Sequence, residues 1–96
     1  MGGIRLLRND EGVELPEKPV IEIYPNPVSK EDALTIIPDR AVQMQLYSSI
    51  GQKLSEPIRI DGNEVFSLKA SQLSAGMYIL RFSVNNTFVS KRIIIY

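Results

Sequence analysis

The chain has 96 residues, which is enough for one domain with a modest hydrophobic core but leaves little room for a deep active-site cavity. Its eleven basic and eleven acidic residues are interspersed and cancel to a formal net charge of zero, so neither nucleic acid nor an anionic membrane surface is indicated as a partner. Cysteine and histidine are absent, which excludes disulfides, thiol nucleophiles, the commonest general base and the commonest transition-metal ligand.

The N-terminal stretch, residues 1–19, is mixed and charged, and it ends in ELPEKP, where Pro16 and Pro19 indicate a stiff, extended connector. It has no sustained apolar segment and no small-residue cleavage site, so it does not have the pattern of a secretory signal. No run of the chain approaches the length of a membrane span. We therefore interpret residues 1–19 as a linker and residues 20–96 as the folded domain. The protein is then either cytoplasmic or the C-terminal part of a longer protein with its targeting signal upstream.

The segment YPNPV, residues 24–28, follows the alternating run IEI at residues 21–23. Each proline fixes φ and removes a backbone donor, and the residue before a proline is pushed towards extended geometry. A helix is therefore excluded here. The pattern predicts a strand that ends at Tyr24, followed by a rigid turn that Asn26 closes with its own side chain.

From Val20 onward, short apolar runs of period two are broken by turn residues roughly every 8 to 12 positions, which is typical of an all-β sandwich. After the strand at residues 21–24, we predict strands at residues 33–37, 42–47, 54–60, around Phe66 and Leu68, at 77–84 and at 88–96. Pro57 marks the fourth strand as an edge strand or a bulge, because it cannot donate to a ladder. Seven strands fit an immunoglobulin-like antiparallel β-sandwich.

Turn residues predict two hairpins. The run DGN at residues 61–63 predicts a tight hairpin between the fourth and fifth strands, and Asn85 with Asn86 predicts one between the last two. Leu73, Gly76 and Tyr78 have the spacing L-x-x-G-x-Y of a tyrosine corner, in which the phenol bonds back to upstream backbone, and residues 70–72 suggest a short helical turn before it. The alternative is a glycine turn followed by an ordinary strand tyrosine.

Side chains suited to catalysis do not form any recognisable set. Asp32, Asp39 and Asp61 occupy turn positions and form no spaced acid pair. The run DGNE at residues 61–64 lacks the alternating ligands of a calcium loop, so a hairpin is favoured. The tyrosines could stack on a sugar or peptide, but core packing and strand preference are the better explanation for each of them. We therefore predict no enzymatic activity, no cofactor, no metal site and no small-molecule substrate.

The last predicted strand, residues 88–96, ends in IIIY and is apolar on both faces near its end. A surface strand usually alternates, so this end is either buried on both sides or offers apolar surface to a partner. A terminal strand covered by a loop is the plainer alternative. Since an exposed edge invites pairing, we count self-association through this strand among its interactions.

Four segments, YPNPV, QLYSSIGQKL, LSAGMYILRF and VSKRIIIY, occur in this order between Val20 and Tyr96. In combination they resemble the C-terminal sorting domain of the type IX secretion system of Bacteroidetes. The resemblance implies an immunoglobulin-like sandwich appended to a secreted cargo protein, which crosses the inner membrane with a separate N-terminal signal. It implies as partners an outer-membrane translocon, its shuttle proteins and a sortase-like protease that commonly removes the domain in the linker before the cargo is attached to lipopolysaccharide. The domain would then pass through the periplasm to the outer membrane, the cell surface or the medium.

By this resemblance, the partner-recognition residues lie in the four segments: Pro25, Asn26, Pro27, Leu46, Tyr47, Gly51, Gln52, Leu73, Gly76, Tyr78, Lys91, Arg92, Ile93, Ile94, Ile95 and Tyr96. The chain departs from the family in ending on Tyr96, where a basic residue is frequent. We expect removal of residues 94–96 to abolish recognition while the sandwich stays folded. An uncleaved component of the secretion machinery, an adhesive or carbohydrate-binding sandwich and a structural spacer remain as alternatives.

Overall fold

Seven strands and one 3₁₀ turn account for the regular structure of residues 18–96, the part of the chain that the computed structural model describes. The predicted linker, residues 1–19, therefore lies outside the described residues except for Lys18 and Pro19. The strands are β1 (Ile21–Tyr24), β2 (Ala33–Pro38), β3 (Val42–Ser48), β4 (Ile58–Ile60), β5 (Phe66–Lys69), β6 (Gly76–Val84) and β7 (Thr87–Ile95), and the 3₁₀ turn Ala70–Gln72 lies between β5 and β6.

The strands form two antiparallel sheets, one of three strands in the order β1-β2-β5 and one of four strands in the order β4-β3-β6-β7. We call these the small sheet and the large sheet. Their order corresponds to strands A-B-E facing C′-C-F-G of an immunoglobulin-like sandwich. The predicted all-β sandwich is confirmed, and β4 and β7 are the edge strands of the large sheet.

The core lies between the inner faces of the two sheets. Alternate residues supply it, because successive side chains of a strand point to opposite faces. In β3, for example, Val42, Met44 and Leu46 are buried. The other buried apolar residues are Ile21, Val28, Leu34, Ile36, Ile60, Ala70, Leu80, Phe82, Ile93 and Ile95. Full burial of a side chain such as Leu or Phe contributes about 1.5 to 3 kcal/mol, so this period-two pattern drives the folding of the sandwich.

The predicted fourth strand is too long. Only Ile58–Ile60 forms β4, and residues 54–57 precede it as a loop. The side chain of Ser55 explains this, since its hydroxyl accepts a hydrogen bond from the Leu46 N–H at 3.0 Å where a ladder partner would bond. Pro57 has no N–H to extend the strand. The fourth strand is an edge strand, as predicted, although Pro57 lies in the loop just before it.

The predicted hairpin at residues 61–63 is wrong, because β4 belongs to the large sheet and β5 to the small one. The residues do make a turn, in which Asn63 has φ of 62° and donates its N–H to the Pro38 carbonyl at 2.7 Å. A Cβ on Gly62 would lie 2.9 Å from the Cα of Arg40. Glycine is therefore required by the close approach of two crossover loops, rather than by a hairpin.

The local signals near the last two strands are confirmed. Asn85, with φ of 54°, and Asn86 form the two-residue loop of the β6–β7 hairpin. The tyrosine corner is present as well, since the hydroxyl of Tyr78 donates to the Ser74 carbonyl at 2.7 Å. The 3₁₀ turn Ala70–Gln72 precedes it, as the sequence predicts.

Candidate partner-recognition site

The end of β7 is buried on one face and exposed on the other. Ile93 and Ile95 have 0% and 2% of their surface exposed, whereas Ile94 is 43% and Tyr96 67% exposed. The apolar run IIIY is therefore not buried on both sides. Two of its side chains belong to the core and two face outward.

The C-terminal end of the free edge of β7 is covered by residues 28–30, which run parallel to it. The N–H of Val28 donates to the Ile94 carbonyl at 2.9 Å, and the Tyr96 N–H donates back to the Val28 carbonyl at 3.0 Å. The Lys30 N–H then donates to the Tyr96 carbonyl at 2.7 Å. The alternative of a terminal strand covered by another segment is thus confirmed for this edge. A partner cannot pair with residues 94–96 along this edge without displacing residues 28–30.

Asn26 continues this cover with its side chain. Its Nδ2 donates to the Arg92 carbonyl at 2.8 Å, and its Oδ1 accepts from the Ile94 N–H at 3.0 Å. A carboxamide has a donor and an acceptor like a peptide group, so it occupies the place of one more strand residue. The flanking peptide bonds, Tyr24–Pro25 and Asn26–Pro27, are both cis.

The predicted hydrogen-bond partner of the Asn26 side chain is therefore wrong. The side chain was expected to close its own turn, but it bonds to backbone groups 66 and 68 residues further along the chain. The reason is that the turn carries Asn26 to the outer side of an edge strand, where N–H and C=O groups would otherwise be unpaired. No local sequence signal could have identified this partner.

The tyrosine corner lies on the other side of β7. Tyr78 is paired with Ile93 of β7 and with Ser48 of β3. Gly76, opposite Ile95, has φ of +151°, which a residue with a side chain rarely adopts. Leu73 packs against the core just before this glycine. The segment thus fixes the position at which β6 begins beside the end of β7.

The segment QLYSSIGQKL lies at the same end of the large sheet. Leu46 is buried, while Tyr47 lies on the outer face and donates its hydroxyl to Gln45 Oε1 at 3.1 Å. The turn that follows is closed by a bond from the Ser48 N–H to the Gln52 carbonyl at 2.8 Å. Gly51, with φ of +91°, permits this turn.

The structure brings the four segments of the resemblance together at one end of the large sheet. Across the sheet, Tyr47 pairs with Ile79 and Ile79 with Arg92, and Met77 pairs with Ile94. Residues 26–30 then lie beside β7. Within the site, the predicted recognition residues differ in access: Leu46, Ile93 and Ile95 are buried, and the others are partly or fully exposed. The three buried side chains pack in the core and so hold the exposed residues of the site in place.

The large sheet also has a charge pattern that the sequence reading missed. Its strands β3, β4, β6 and β7 contain no Asp or Glu, but they contain Arg59, Arg81, Lys91 and Arg92. The guanidinium carbon of Arg81 lies 4.0 Å from the centre of the Phe88 ring. A net charge of zero concealed this segregation, and a count of acids for each predicted strand would have found it.

At the beginning of the domain, Asp39 clamps the backbone of Val20. The Asp39 Oδ1 accepts from the Val20 N–H at 3.1 Å, and the Asp39 N–H donates to the Val20 carbonyl at 2.9 Å. The hydrogen bond from the neighbouring Arg40 guanidinium, aided by that from Val20, lowers the pKa of the Asp39 carboxyl against the opposing effect of burial. Folding therefore favours the charged carboxylate.

Within residues 18–96, no cluster of three or more acidic side chains is placed to hold a metal ion. The same part of the chain has no helix that is long and apolar enough to cross a membrane. The side chains gathered at the end of the large sheet are apolar, aromatic and cationic, which suits recognition of a surface.

Comparison with known families gives a match over most of the chain. The family described as the secretion system C-terminal sorting domain matches residues 22–96, from β1 through Tyr96. The matched range includes all four segments that meet at the end of the large sheet. None of the curated proteins compared with the chain matches it.

Proposed function

Because the chain belongs to the family of type IX secretion system C-terminal sorting domains, we propose that residues 20–96 direct an attached cargo protein through the outer membrane. The match to residues 22–96 is the observation that carries this proposal. The sorting signal itself is a tag and does no chemistry, in keeping with a chain that offers neither histidine nor cysteine.

The partners are an outer-membrane translocon and its shuttle proteins, which recognise the folded sandwich in the periplasm. Export then places the cargo at the outer membrane, on the cell surface or in the medium. The arrangement of the large sheet supports this proposal, since the segments by which the family is recognised lie side by side rather than scattered over the domain. A rigid surface assembled from several strands is what a folded signal requires, because its reader cannot rely on an extended peptide.

Release of the cargo occurs by cleavage within residues 1–19, by a sortase-like protease. Pro19 is buried, and both backbone groups of Val20 are bonded to Asp39. A protease needs an extended, accessible chain, so the folded domain resists it from this point onward. The cleavage site accordingly lies upstream of the Asp39 clamp.

The experiment is a fusion of the whole chain to the C-terminus of a fluorescent reporter that carries its own N-terminal export signal. In a bacterium with a type IX system, we expect the reporter to reach the cell surface or the medium. The same fusion should remain periplasmic in a strain that lacks the translocon, and so should the reporter without the chain. Periplasmic retention of the complete fusion in the competent strain would refute the proposal. Mass spectrometry of the released chain then locates the cleaved bond.

A further inference from the structure

From the charge and shape of the large sheet we infer that its outer face, the side turned away from the small sheet, docks onto a protein surface with an apolar patch and carboxylates beside it. This inference rests on the proposed function and names the surface by which the secretion machinery reads the domain. The edge of β7 at residues 92–96 is excluded for this purpose, since residues 26–30 already bond to it.

The apolar centre lies at the end of the sheet. Met77 and Ile94 are directly opposite each other on β6 and β7 and are 39% and 43% exposed. Ile79 lies next to them on the same face of β6, with Tyr47 opposite it on β3. Side chains this exposed on adjacent strands form a contiguous apolar patch, whereas scattered ones would need no explanation.

Cations follow this centre along the same face, towards the middle of the sheet, without a compensating acid on the strands. Arg92 lies opposite Ile79, and Arg81 lies two residues further along β6. Arg59 is on the same face of β4, where it pairs with Asp61 of the following loop at 3.0 Å. The outer face of the small sheet differs, since it carries Glu22 and Lys69 and so is balanced. The two outer faces of the sandwich thus offer a partner different charges.

A depression beside Arg81 strengthens the requirement for an acidic partner. It has a volume of about 110 Å³ and is lined by Gln43, Gln45, Pro57, Arg81 and Phe88, among others. The Phe88 ring packs against the Arg81 guanidinium, which holds this cation at the wall of the depression. An inserted Asp or Glu side chain would meet an arginine and side-chain amides, all of which can donate hydrogen bonds.

The size of the face indicates a weak contact. With strands about 4.8 Å apart and a rise of about 3.4 Å per residue, β3, β6 and β7 present roughly 450 Å². One partner of a stable interface usually contributes about 800 Å². A second copy of this chain is disfavoured as the occupant, because two such faces would bring arginines against arginines. A transient complex with a partner of complementary charge suits a sorting domain that the secretion machinery must release again.

The test uses reporter fusions of the whole chain in the competent strain. Arg81→Glu/Arg92→Glu should lower the amount of reporter at the cell surface at least tenfold, and Ile94→Ser at least fivefold. Matched controls come from other surfaces: Lys18→Glu/Lys69→Glu makes the same change in net charge, and Ile37→Ser makes the same change on the outer face of the small sheet. Both controls should stay within twofold of wild type. Thermal denaturation of each purified chain establishes that it is folded.

A second arm asks whether the partner is a saturable protein. Excess free wild-type chain in the periplasm should compete with the fusion and reduce its export, whereas the Arg81→Glu/Arg92→Glu chain should not. Absence of competition by the wild-type chain would overturn the inference. Binding of the wild-type chain but not of the double variant to phosphatidylglycerol vesicles would show that the partner is a lipid surface and not a protein. A dimer in analytical sedimentation that Ile94→Ser abolishes would show that the partner is a second copy of this chain.

The failure of this inference is distinguishable from the failure of the proposed function. Export of the folded double variant at wild-type levels refutes the docking face and leaves the sorting role intact. Retention of the wild-type fusion refutes the sorting role itself.

Discussion

Asn26 offers the sharpest test of how the terminal strand is held. In Asn26→Ala, the Arg92 carbonyl and the Ile94 N–H each lose the partner that lies 2.8 or 3.0 Å away. An intramolecular hydrogen bond contributes about 0.5 to 1.5 kcal/mol net, and the low end applies here because water can replace the amide at this exposed position. We expect a loss of about 1 to 2 kcal/mol in the free energy of unfolding. For a domain of this size, that lowers Tm by about 4 to 15 °C.

Hydrogen exchange makes the prediction specific to one amide. The Ile94 N–H points away from β6 and is protected by the Asn26 carboxamide, whereas Ile93 and Ile95 face the β6 ladder. In Asn26→Ala, exchange at Ile94 should accelerate at least tenfold more than at its two neighbours. Gln43→Ala, which removes another exposed carboxamide, serves as the control and should change neither Tm nor exchange at Ile94. Unchanged protection of Ile94 in a folded Asn26→Ala chain would refute the reasoning.

Asn26→Asp tests the direction of the two bonds. The introduced carboxylate can still accept from the Ile94 N–H, but its second oxygen faces the Arg92 carbonyl, where the amide donated. Repulsion between these oxygens raises the pKa of the new carboxyl in the folded state, because the neutral acid can donate where the anion cannot. Its stabilisation is then present below the pKa of an unfolded aspartate and is lost as pH rises through the folded value. Relative to Asn26→Ala, the variant should gain stability on acidification, and equal pH profiles of the two would contradict this.

Three further predictions concern stability. Tyr78→Phe removes the bond to the Ser74 carbonyl and should cost about 0.5 to 1.5 kcal/mol in urea denaturation, since the carbonyl is exposed to water; no change would exclude a stabilising tyrosine corner. Gly62→Ala places a Cβ 2.9 Å from the Arg40 Cα and should cost about 1 to 3 kcal/mol, which a scanning calorimeter would detect, and a neutral result would show that the two loops move apart freely. Because the pKa of Asp39 is lowered in the fold, its contribution is present above the unfolded pKa and is lost as pH falls through the folded value, so wild type should lose more stability than Asp39→Asn between neutral and acidic pH.

The parts of the fold that the sequence predicts are those with local causes. The period of two in VQMQL places Val42, Met44 and Leu46 on one face, whatever the rest of the chain does. The same holds for the two-residue Asn85-Asn86 loop and for Tyr78, whose partner is four residues away. Such features depend on steric preferences of a few consecutive residues, and a single sequence contains them in full.

The features that the sequence did not predict depend on distant residues. The turn at Gly62 has the residues of a hairpin, but whether the next strand returns to the same sheet is decided by which edge its apolar face can reach. The partner of Asn26 is likewise fixed only when β7 arrives beside it. The cationic outer face could in principle have been predicted, because the alternation of side chains along the two strands assigns Arg81 and Arg92 to the same face of the sheet. It was missed because net charge sums over both faces.

The terminal strand shows why truncation cannot separate folding from recognition. Removal of residues 94–96 takes Ile95 out of the core, and loss of such a side chain costs about 2 to 5 kcal/mol. It also removes both backbone bonds of Val28 to Ile94 and Tyr96. Against a total stability of about 5 to 15 kcal/mol, this leaves little margin, so the expectation that the truncated sandwich stays folded is at odds with the structure. A substitution at Ile94 alone changes only the outward side of the strand, and a loss of export at unchanged stability then belongs to recognition.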